Sequence, residues 1–198
     1  MSLAKHFKKV IATDPSEAQI KNAIGAENIS YKISSAENSG LENNSADLVT
    51  IANALHWFEF DLFYKEVKRI LKPGGVIAAW CYGSPIHLQS KEINELIKKL
   101  HDDILGNFWL TENRLVEQKY KTIPFPFKEI EHPDFTMEKE LNENDLLGLF
   151  HSWSAVQRYK DTKKQDPVAI IEGDLKTAWG KEEKQKFKWE LTLKPGRN

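Results

Sequence analysis

The chain has 198 residues and a charged fraction of 29%, which suit one globular domain large enough to bury a hydrophobic core. Lysine and arginine total 28 against 29 for aspartate and glutamate, so the net charge is near zero and neither nucleic acid nor a membrane surface is an expected partner. With one cysteine, no signal-peptide core and no apolar run near the ~20 residues of a membrane span, the composition predicts a reducing, cytoplasmic location.

Short apolar runs alternate with helical patterns over the first 83 residues. Ser16 begins a helix, with Gln19 at the spacing of a capping box, and an amphipathic helix over 61–71 ends at Pro73-Gly74-Gly75. The predicted strands are 9–13, 29–33, 47–52 and 76–81. Since these runs are apolar throughout, they predict one parallel sheet covered by helices on both sides. The expected fold class is therefore α/β, with a Rossmann-like, doubly wound and mostly parallel sheet.

Residues 84–198 have longer loops, more aromatic residues and more charge. The predicted elements are a helix over 89–101, one or two β segments within 127–141, a helix from Asn142 or Asn144 to Phe150, a helix over 167–179 and a strand over 186–193. In the last of these, charged and apolar residues alternate, which is typical of a half-exposed strand. We expect this late strand to be antiparallel.

Three places in the chain could carry chemistry. Asp14 follows the first predicted strand, where an acid can accept hydrogen bonds from sugar hydroxyls, although Asp-Pro-Ser is also a good turn. His56, beside Trp57, could be a base, a substrate ligand or a polar side chain at a strand end. Arg158 lies in a later stretch with Trp153 and could pair with a substrate carboxylate or lie on the surface. The six histidines show no metal-ligand spacing, so no metal is expected.

A family resemblance rests on four segments, which are Ser34 to Leu41, Asp47-Leu48-Val49, Asn53 to Phe58, and Leu71 to Gly75. In this order and at these distances they resemble the successive motifs of class I S-adenosylmethionine-dependent methyltransferases. The most similar branch acts on small molecules and includes trans-aconitate methyltransferase. The resemblance covers about residues 3–83 well and the rest in outline. It implies that the cofactor is S-adenosyl-L-methionine and that the methyl acceptor is a small molecule. By analogy with this branch, the accepting group is expected to be a carboxylate oxygen.

The resemblance also implies where the cofactor would bind. Asp14 stands at the family's ribose position, Pro15 lies against the adenine, and Ala36 with Glu37 matches the adenine-edge motif. The segment that begins with Asn53 lies near the methionine end. The residues implied to bind the cofactor are Asp14, Pro15, Ala36, Glu37, Asn53 and Ala54.

The reacting methyl group and the acceptor are implied to lie near a second set of residues. His56 and Trp57 are the candidate catalytic residues, since they close the segment at the methionine end. Trp57, Trp153 and Arg158 are the candidate substrate-binding residues. The sequence makes no prediction about oligomeric state.

One family feature is missing from the sequence. The first strand and its Gly-x-Gly loop should precede the helix near His6, but the glycines before Pro73 are Gly25 and Gly40, and neither follows an apolar strand. We therefore expect 1–83 to be an N-terminally incomplete cofactor-binding part, and 84–198 to be the acceptor or lid segment and last strands of the same domain. Because that loop lets backbone approach the cofactor, a non-catalytic Rossmann-like fragment stays open as an alternative. A nicotinamide-dependent oxidoreductase is the other, since it also uses an acid after its second strand.

Overall fold

The computed structural model describes residues 2–198, which divide into two compact units. Unit 1 comprises the residues up to Ala79 together with Pro124–Glu131 and Lys194–Asn198. Unit 2 comprises Trp80–Ile123 and His132–Leu193. Within the described residues, every helix is too short or too polar to cross a bilayer.

Strands and helices alternate along much of the chain. The strands are β1 (Val10–Asp14), β2 (Ile29–Ile33), β3 (Ala46–Ala52), β4 (Leu71–Tyr82), β5 (Ile86–His87), β6 (Lys128–Glu129), β7 (Phe135–Leu141) and β8 (Gln185–Arg197). The α-helices are α1 (Glu17–Lys21), α2 (Phe60–Ile70), α3 (Lys91–Lys98), α4 (Asn113–Glu117), α5 (Glu143–His151), α6 (Ser154–Lys163) and α7 (Ala169–Trp179). Short 3₁₀ turns lie at Leu3–Lys5, Leu55–Trp57 and Gly106–Phe108, and a π-helical turn over Lys99–Ile104 extends α3.

The local patterns predicted most of these elements well. Strand β2 has the predicted bounds, β1 lies one residue later than predicted, and α2 begins and ends one residue early. Strand β4 is longer than the predicted 76–81. It begins at Leu71, directly after α2, and includes the Pro73-Gly74-Gly75 segment. The short strand β5 and the helices α4 and α6 were not predicted.

Two sheets contain the strands. In the first, β1 and β2 pair in parallel, with Val10 opposite Ile29 and Asp14 opposite Ile33. The second has the order β3-β4-β8-β5, and β6 and β7 also pair with β8. Strands β5, β6 and β7 all run antiparallel to β8. The α/β class with a late antiparallel strand is thereby confirmed.

The expectation of a single sheet for the four early strands is wrong, because β1 and β2 lie in a sheet apart from β3 and β4. Among residues 2–198, no further strand pairs with β1 or β2. Their continuous burial was also wrongly predicted: neither strand contains a buried residue, and Ile33 is 52% exposed. The helix that follows β1 is only five residues long and buries none of them, so it gives these strands little cover.

A buried carboxylate holds the segment after β2 against helix α2. Glu66, which is 7% exposed, accepts hydrogen bonds from the Ser39 amide at 2.9 Å and from the Ser39 hydroxyl. Arg69 donates from Nε to Oε2 and from Nη2 to Oε1 of Glu66, each at 2.7 Å. Arg69 lowers the pKa of Glu66, burial opposes this shift, and Ser39 adds to it, so that the pKa falls to about 2.

Unit 2 is built around one apolar cluster of helices α3, α5, α6 and α7 with strand β8. Fifteen of its described apolar residues are buried in this cluster, and Phe150, Leu175 and Phe187 are fully inaccessible. Helix α5 begins at a complete capping box: Asn142 Oδ1 accepts from the Asp145 amide at 2.8 Å, and Asp145 Oδ2 accepts from the Asn142 amide at 3.1 Å.

Candidate functional site

The carboxyl ends of β1 and β2 lie side by side. Asp14 is the last residue of β1 and is paired with Ile33, the last residue of β2. The amide of Ser34 donates to the carbonyl oxygen of Asp14 at 3.3 Å. In open α/β sheets, ligands bind outside the carboxyl ends of the strands, so this edge is where a cofactor site is expected.

The geometry of Asp14 fits both interpretations from the sequence, a turn residue and an acceptor for sugar hydroxyls. Its Oδ1 accepts a hydrogen bond from the Ser16 amide at 2.8 Å, which closes the turn around Pro15. Its Oδ2 accepts no hydrogen bond within residues 2–198, and the side chain is half-buried. One carboxylate oxygen therefore holds the turn, and the other is without a hydrogen-bond donor among the described residues. Pro15 is exposed at the same end of the strand.

Glu37 connects the segment after β2 with the segment after β3. Its Oε1 accepts a hydrogen bond from the amide of Glu59, directly before α2, at 3.2 Å. Ala36 and Glu37 are both half-buried. This bond fixes the predicted adenine-edge pair beside the chain segment that follows Asn53.

Two buried polar atoms in these segments have no hydrogen-bond partner within the described residues. They are the Asn53 side-chain oxygen and the Ser34 hydroxyl. Asn53 also has a φ of 49°, a left-handed conformation that asparagine adopts more readily than most other non-glycine residues. A buried polar atom without a partner costs about 1–3 kcal/mol, so such atoms are explained when a ligand supplies the bond. Ser34 was part of the family motif, but the sequence did not single out its hydroxyl.

His56 and Trp57 lie in the 3₁₀ turn that follows Ala54. His56 is 5% exposed, whereas Trp57 is 46% exposed, and their ring centroids are 4.7 Å apart with the planes inclined by 47°. The turn thus buries the imidazole and leaves the indole on the surface of unit 1. Ala54 is half-buried.

The two later candidates, Trp153 and Arg158, lie in unit 2. Trp153 precedes α6 and contacts other aromatic rings, with centroid distances of 5.0 Å to Phe150 and 5.7 Å to Trp109. Arg158 donates from Nη1 to the Phe108 carbonyl at 3.1 Å. Its Nε and Nη2 donate to no atom within residues 2–198, so part of the guanidinium could still bind a carboxylate.

The residues at the strand ends fit the donors and acceptors of S-adenosylmethionine. Asp14 Oδ2 and the Asn53 side-chain oxygen are acceptors, which suit the ribose hydroxyls and the amino group of that cofactor. The Ser34 hydroxyl can donate or accept. The described part of the chain contains no His, Cys, Asp and Glu cluster that could hold a metal ion.

Comparison of the sequence with known proteins gives a consistent result. A family model described as a methyltransferase domain matches residues 1–79. A Dictyostelium discoideum protein with a provisional methyltransferase name is 32% identical over 178 residues, which are 89% of this chain and 68% of that protein. An uncharacterized methyltransferase of Schizosaccharomyces pombe is 28% identical over 152 residues, 76% of this chain and 57% of that protein. The chain therefore spans about two thirds or less of these relatives.

Solved structures are similar over almost the whole chain. One from Anaeromyxobacter dehalogenans, provisionally described as a type II methyltransferase, superposes with a TM-score of 0.87 and 36% sequence identity. The match covers 98% of this chain and 83% of that one. A methyltransferase-like structure from Bacillus halodurans, with a TM-score of 0.51 and 18% identity, supports the fold alone.

Proposed function

Because the chain belongs to the class I S-adenosylmethionine-dependent methyltransferase family, we propose that it transfers the methyl group of that cofactor to a small carboxylate acceptor. The observation that carries the proposal is a set of polar atoms at the strand ends. They are the buried, unpaired Ser34 hydroxyl and Asn53 side-chain oxygen, together with Asp14 Oδ2, which has no donor within the described residues. The alternative, a nicotinamide-dependent oxidoreductase, shares the acid at Asp14 with the methyltransferases, and no other observation favours it.

Each cofactor residue has a distinct task in this proposal. Asp14 accepts hydrogen bonds from the ribose, Pro15 packs against the adenine, and Ala36 with Glu37 lines the adenine edge. Asn53 and its neighbour Ala54 hold the methionine end. The unpaired side-chain oxygen of Asn53 supports this role, because a ligand donor would supply the bond that this oxygen lacks within the described residues.

When bound, the cofactor supplies an electrophilic methyl group on a sulfonium, which an acceptor oxygen can attack in line. The residues of this chain contribute alignment and the exclusion of water, since such a reaction depends mainly on positioning. Trp57 supplies an exposed aromatic face beside the buried His56 ring. A carboxylate acceptor needs no base to remove a proton, so His56 acts as a positioning residue.

Recognition of the acceptor falls to Trp153 and Arg158. Arginine binds carboxylates through two parallel N–H donors, and Arg158 keeps two of its nitrogens without a partner in the described residues. The trans-aconitate branch is proposed on the sequence resemblance, and the open nitrogens of Arg158 support a carboxylate as the acceptor.

A binding experiment followed by an activity assay tests the proposal. Calorimetric titration with S-adenosylhomocysteine should give micromolar affinity, about −8 kcal/mol, whereas NADH should give no heat of binding. Transfer of tritiated methyl from S-adenosylmethionine should then label small di- and tricarboxylic acids, with phenols and amines of similar size as controls. Binding of NADH alone would remove the methyltransferase proposal, and labelling of the amines in place of the acids would remove the carboxylate acceptor.

A further inference from the structure

Unit 2 contains a cavity of about 130 Å³ that the proposed methyl transfer does not use. Its wall is formed by the end of β4, the segment that leads to β5, helix α4 and strand β8. Cys81, Ile86 and Val116 supply apolar surface to this wall. An enclosed engineered cavity of about 150 Å³ binds benzene, and this cavity, which is open to solvent at its exposed residues, has room for a ligand of roughly six heavy atoms.

Three charged residues also line the cavity, namely Glu117, Lys119 and Glu190. Lys119 Nζ lies 2.8 Å from Glu190 Oε2, and both side chains are about half exposed. Lys119 lowers the pKa of the Glu190 carboxyl, so that Glu190 is ionised at neutral pH. The residues that line the cavity thus include two carboxylates and one ammonium group that is already paired. Just beyond the lining, Lys188 acts electrostatically on Glu190 and Asp134 acts on Lys119, so these two opposite charges leave the excess of one negative charge unchanged.

The backbone holds Lys119 in this position at an energetic cost. Lys119 and Tyr120 both have φ near 55°. Residues other than glycine and asparagine seldom adopt this left-handed backbone conformation. Tyr120 is fully buried and anchors the turn in unit 2. The turn therefore places the backbone of Lys119 beside the cavity, and its half-exposed side chain reaches Glu190 from there.

We propose that this cavity binds a small monocationic amine, with its ammonium group at Glu117 and Glu190 and its apolar body against Cys81, Ile86 and Val116. A carboxylate of the same size would meet two like charges and a lysine that is already paired. A neutral molecule would gain only the apolar contact. The site lies beyond the proposed methyl transfer and does not rest on it.

Three probes of equal length test the charge preference, namely n-butylamine, butyrate and butan-1-ol at neutral pH. Titration of the ¹⁵N-labelled protein followed by NMR should give saturable shifts around the cavity with butylamine in the millimolar range, as expected for so few atoms. Butyrate and butanol should bind at least fivefold more weakly. Raising the salt concentration should weaken butylamine binding and leave butanol unchanged.

Two variants should move butylamine binding in opposite directions. Glu190→Gln should weaken it at least threefold, because a carboxylate is lost and Lys119 is released. Lys119→Gln should strengthen it severalfold, because Glu190 loses its intramolecular partner. Circular dichroism checks that each variant is folded, and Glu117→Gln replaces Glu190→Gln if the latter unfolds.

Equal binding of the three probes, tighter binding of butyrate, or a change of the same sign in both variants would overturn the amine site. If the unchanged protein binds butylamine but does not bind S-adenosylhomocysteine, the methyltransferase proposal alone is contradicted. If it binds S-adenosylhomocysteine but does not bind butylamine, the amine site alone is contradicted.

Discussion

The sheet of β1 and β2 and the helical core of unit 2 differ sharply in burial. Neither β1 nor β2 contains a buried residue, whereas unit 2 buries fifteen described apolar residues in one cluster. Yet the recognisable cofactor motifs follow β1 and β2, and the core of unit 2 has no motif at all. The difference teaches that a sequence motif can mark a sheet with little buried surface, whereas the best-packed core of the chain carries none of the cofactor motifs.

The largest expected effect comes from the core of unit 2. Phe150→Ala should lower the free energy of unfolding by about 3–5 kcal/mol, because Phe150 is fully buried and leaves a cavity. The matched change in the first sheet is Ile33→Ala. Since Ile33 is 52% exposed, it should cost about 0.5 kcal/mol.

Urea denaturation, monitored by tryptophan fluorescence, gives the free energy of unfolding of both variants. Five of the six tryptophans lie in unit 2, so this signal reports mainly that unit. Amide hydrogen exchange then reports β1 and β2 separately. Similar losses for Phe150→Ala and Ile33→Ala would contradict the contrast in packing.

The next effect concerns the buried carboxylate of unit 1. The pKa of Glu66 is about 2 in the folded protein against an ordinary value of 4.5, so the unfolded chain binds the proton more tightly. The stability from this group is therefore fully present above pH 4.5 and is lost as the pH falls towards 2. At 1.36 kcal/mol for each pKa unit, the loss is roughly 3 kcal/mol.

Glu66→Gln should remove this part of the acid dependence, as measured by urea unfolding at several pH values between 5 and about 2.5. The control is Glu190→Gln, because Glu190 is paired with Lys119 on the surface, where ion pairs contribute little. If the acid dependence of Glu66→Gln equals that of the unchanged protein, the Ser39–Glu66–Arg69 contacts do not stabilise unit 1.

The third effect concerns binding. Asp14→Ala should weaken S-adenosylhomocysteine binding by about 1–3 kcal/mol, since hydrogen bonds to a charged acceptor are lost. By calorimetry this is roughly a 5- to 150-fold increase in Kd. The control is Asp47→Ala, because Asp47 lies in β3 and pairs with Lys72 at 2.8 Å on the surface. Equal affinity of the Asp14→Ala variant and the unchanged protein would remove Asp14 from the site.

Local chemistry determined what the sequence could predict. The apolar runs of β1 and β2 located the strands, because strand formation depends on neighbouring residues, but burial of Ile33 depends on distant elements. Helix α6 was not predicted because Ser154–Lys163 is polar on much of its surface, and only Ala155 and Val156 are buried. The motif located Asn53, whereas its left-handed backbone and its unpaired oxygen follow from tertiary structure.

The cavity of unit 2 lay beyond sequence reasoning for a related reason. No turn residue marks Lys119 or Tyr120, since left-handed turns are predicted from glycine and asparagine. The partner of Lys119 is Glu190, 71 positions further along the chain. Pairs so distant in sequence become visible only when β8 is placed in its sheet.

The smallest expected effect compares the two helix caps that the sequence predicted. Ser16 Oγ accepts from the Gln19 amide at 3.4 Å, a long bond on a five-residue helix with no buried residue. Asn142 takes part in a reciprocal capping box on α5, which buries Leu146 and Phe150. Since a cap stabilises the protein only as far as its helix is held by packing, the two caps should differ in energy.

Asn142→Ala should therefore cost about 1 kcal/mol of unfolding free energy, within the usual range for caps, whereas Ser16→Ala should cost about 0.3 kcal/mol or less. Urea denaturation measures both, and Asn142→Asp serves as a control that keeps a capping oxygen. Both alanine variants remove one side-chain acceptor, so a difference between them reflects the helix that is capped. Equal losses would mean that α1 is as firmly packed as α5, and the contrast between the two regions would then rest on the buried side chains alone.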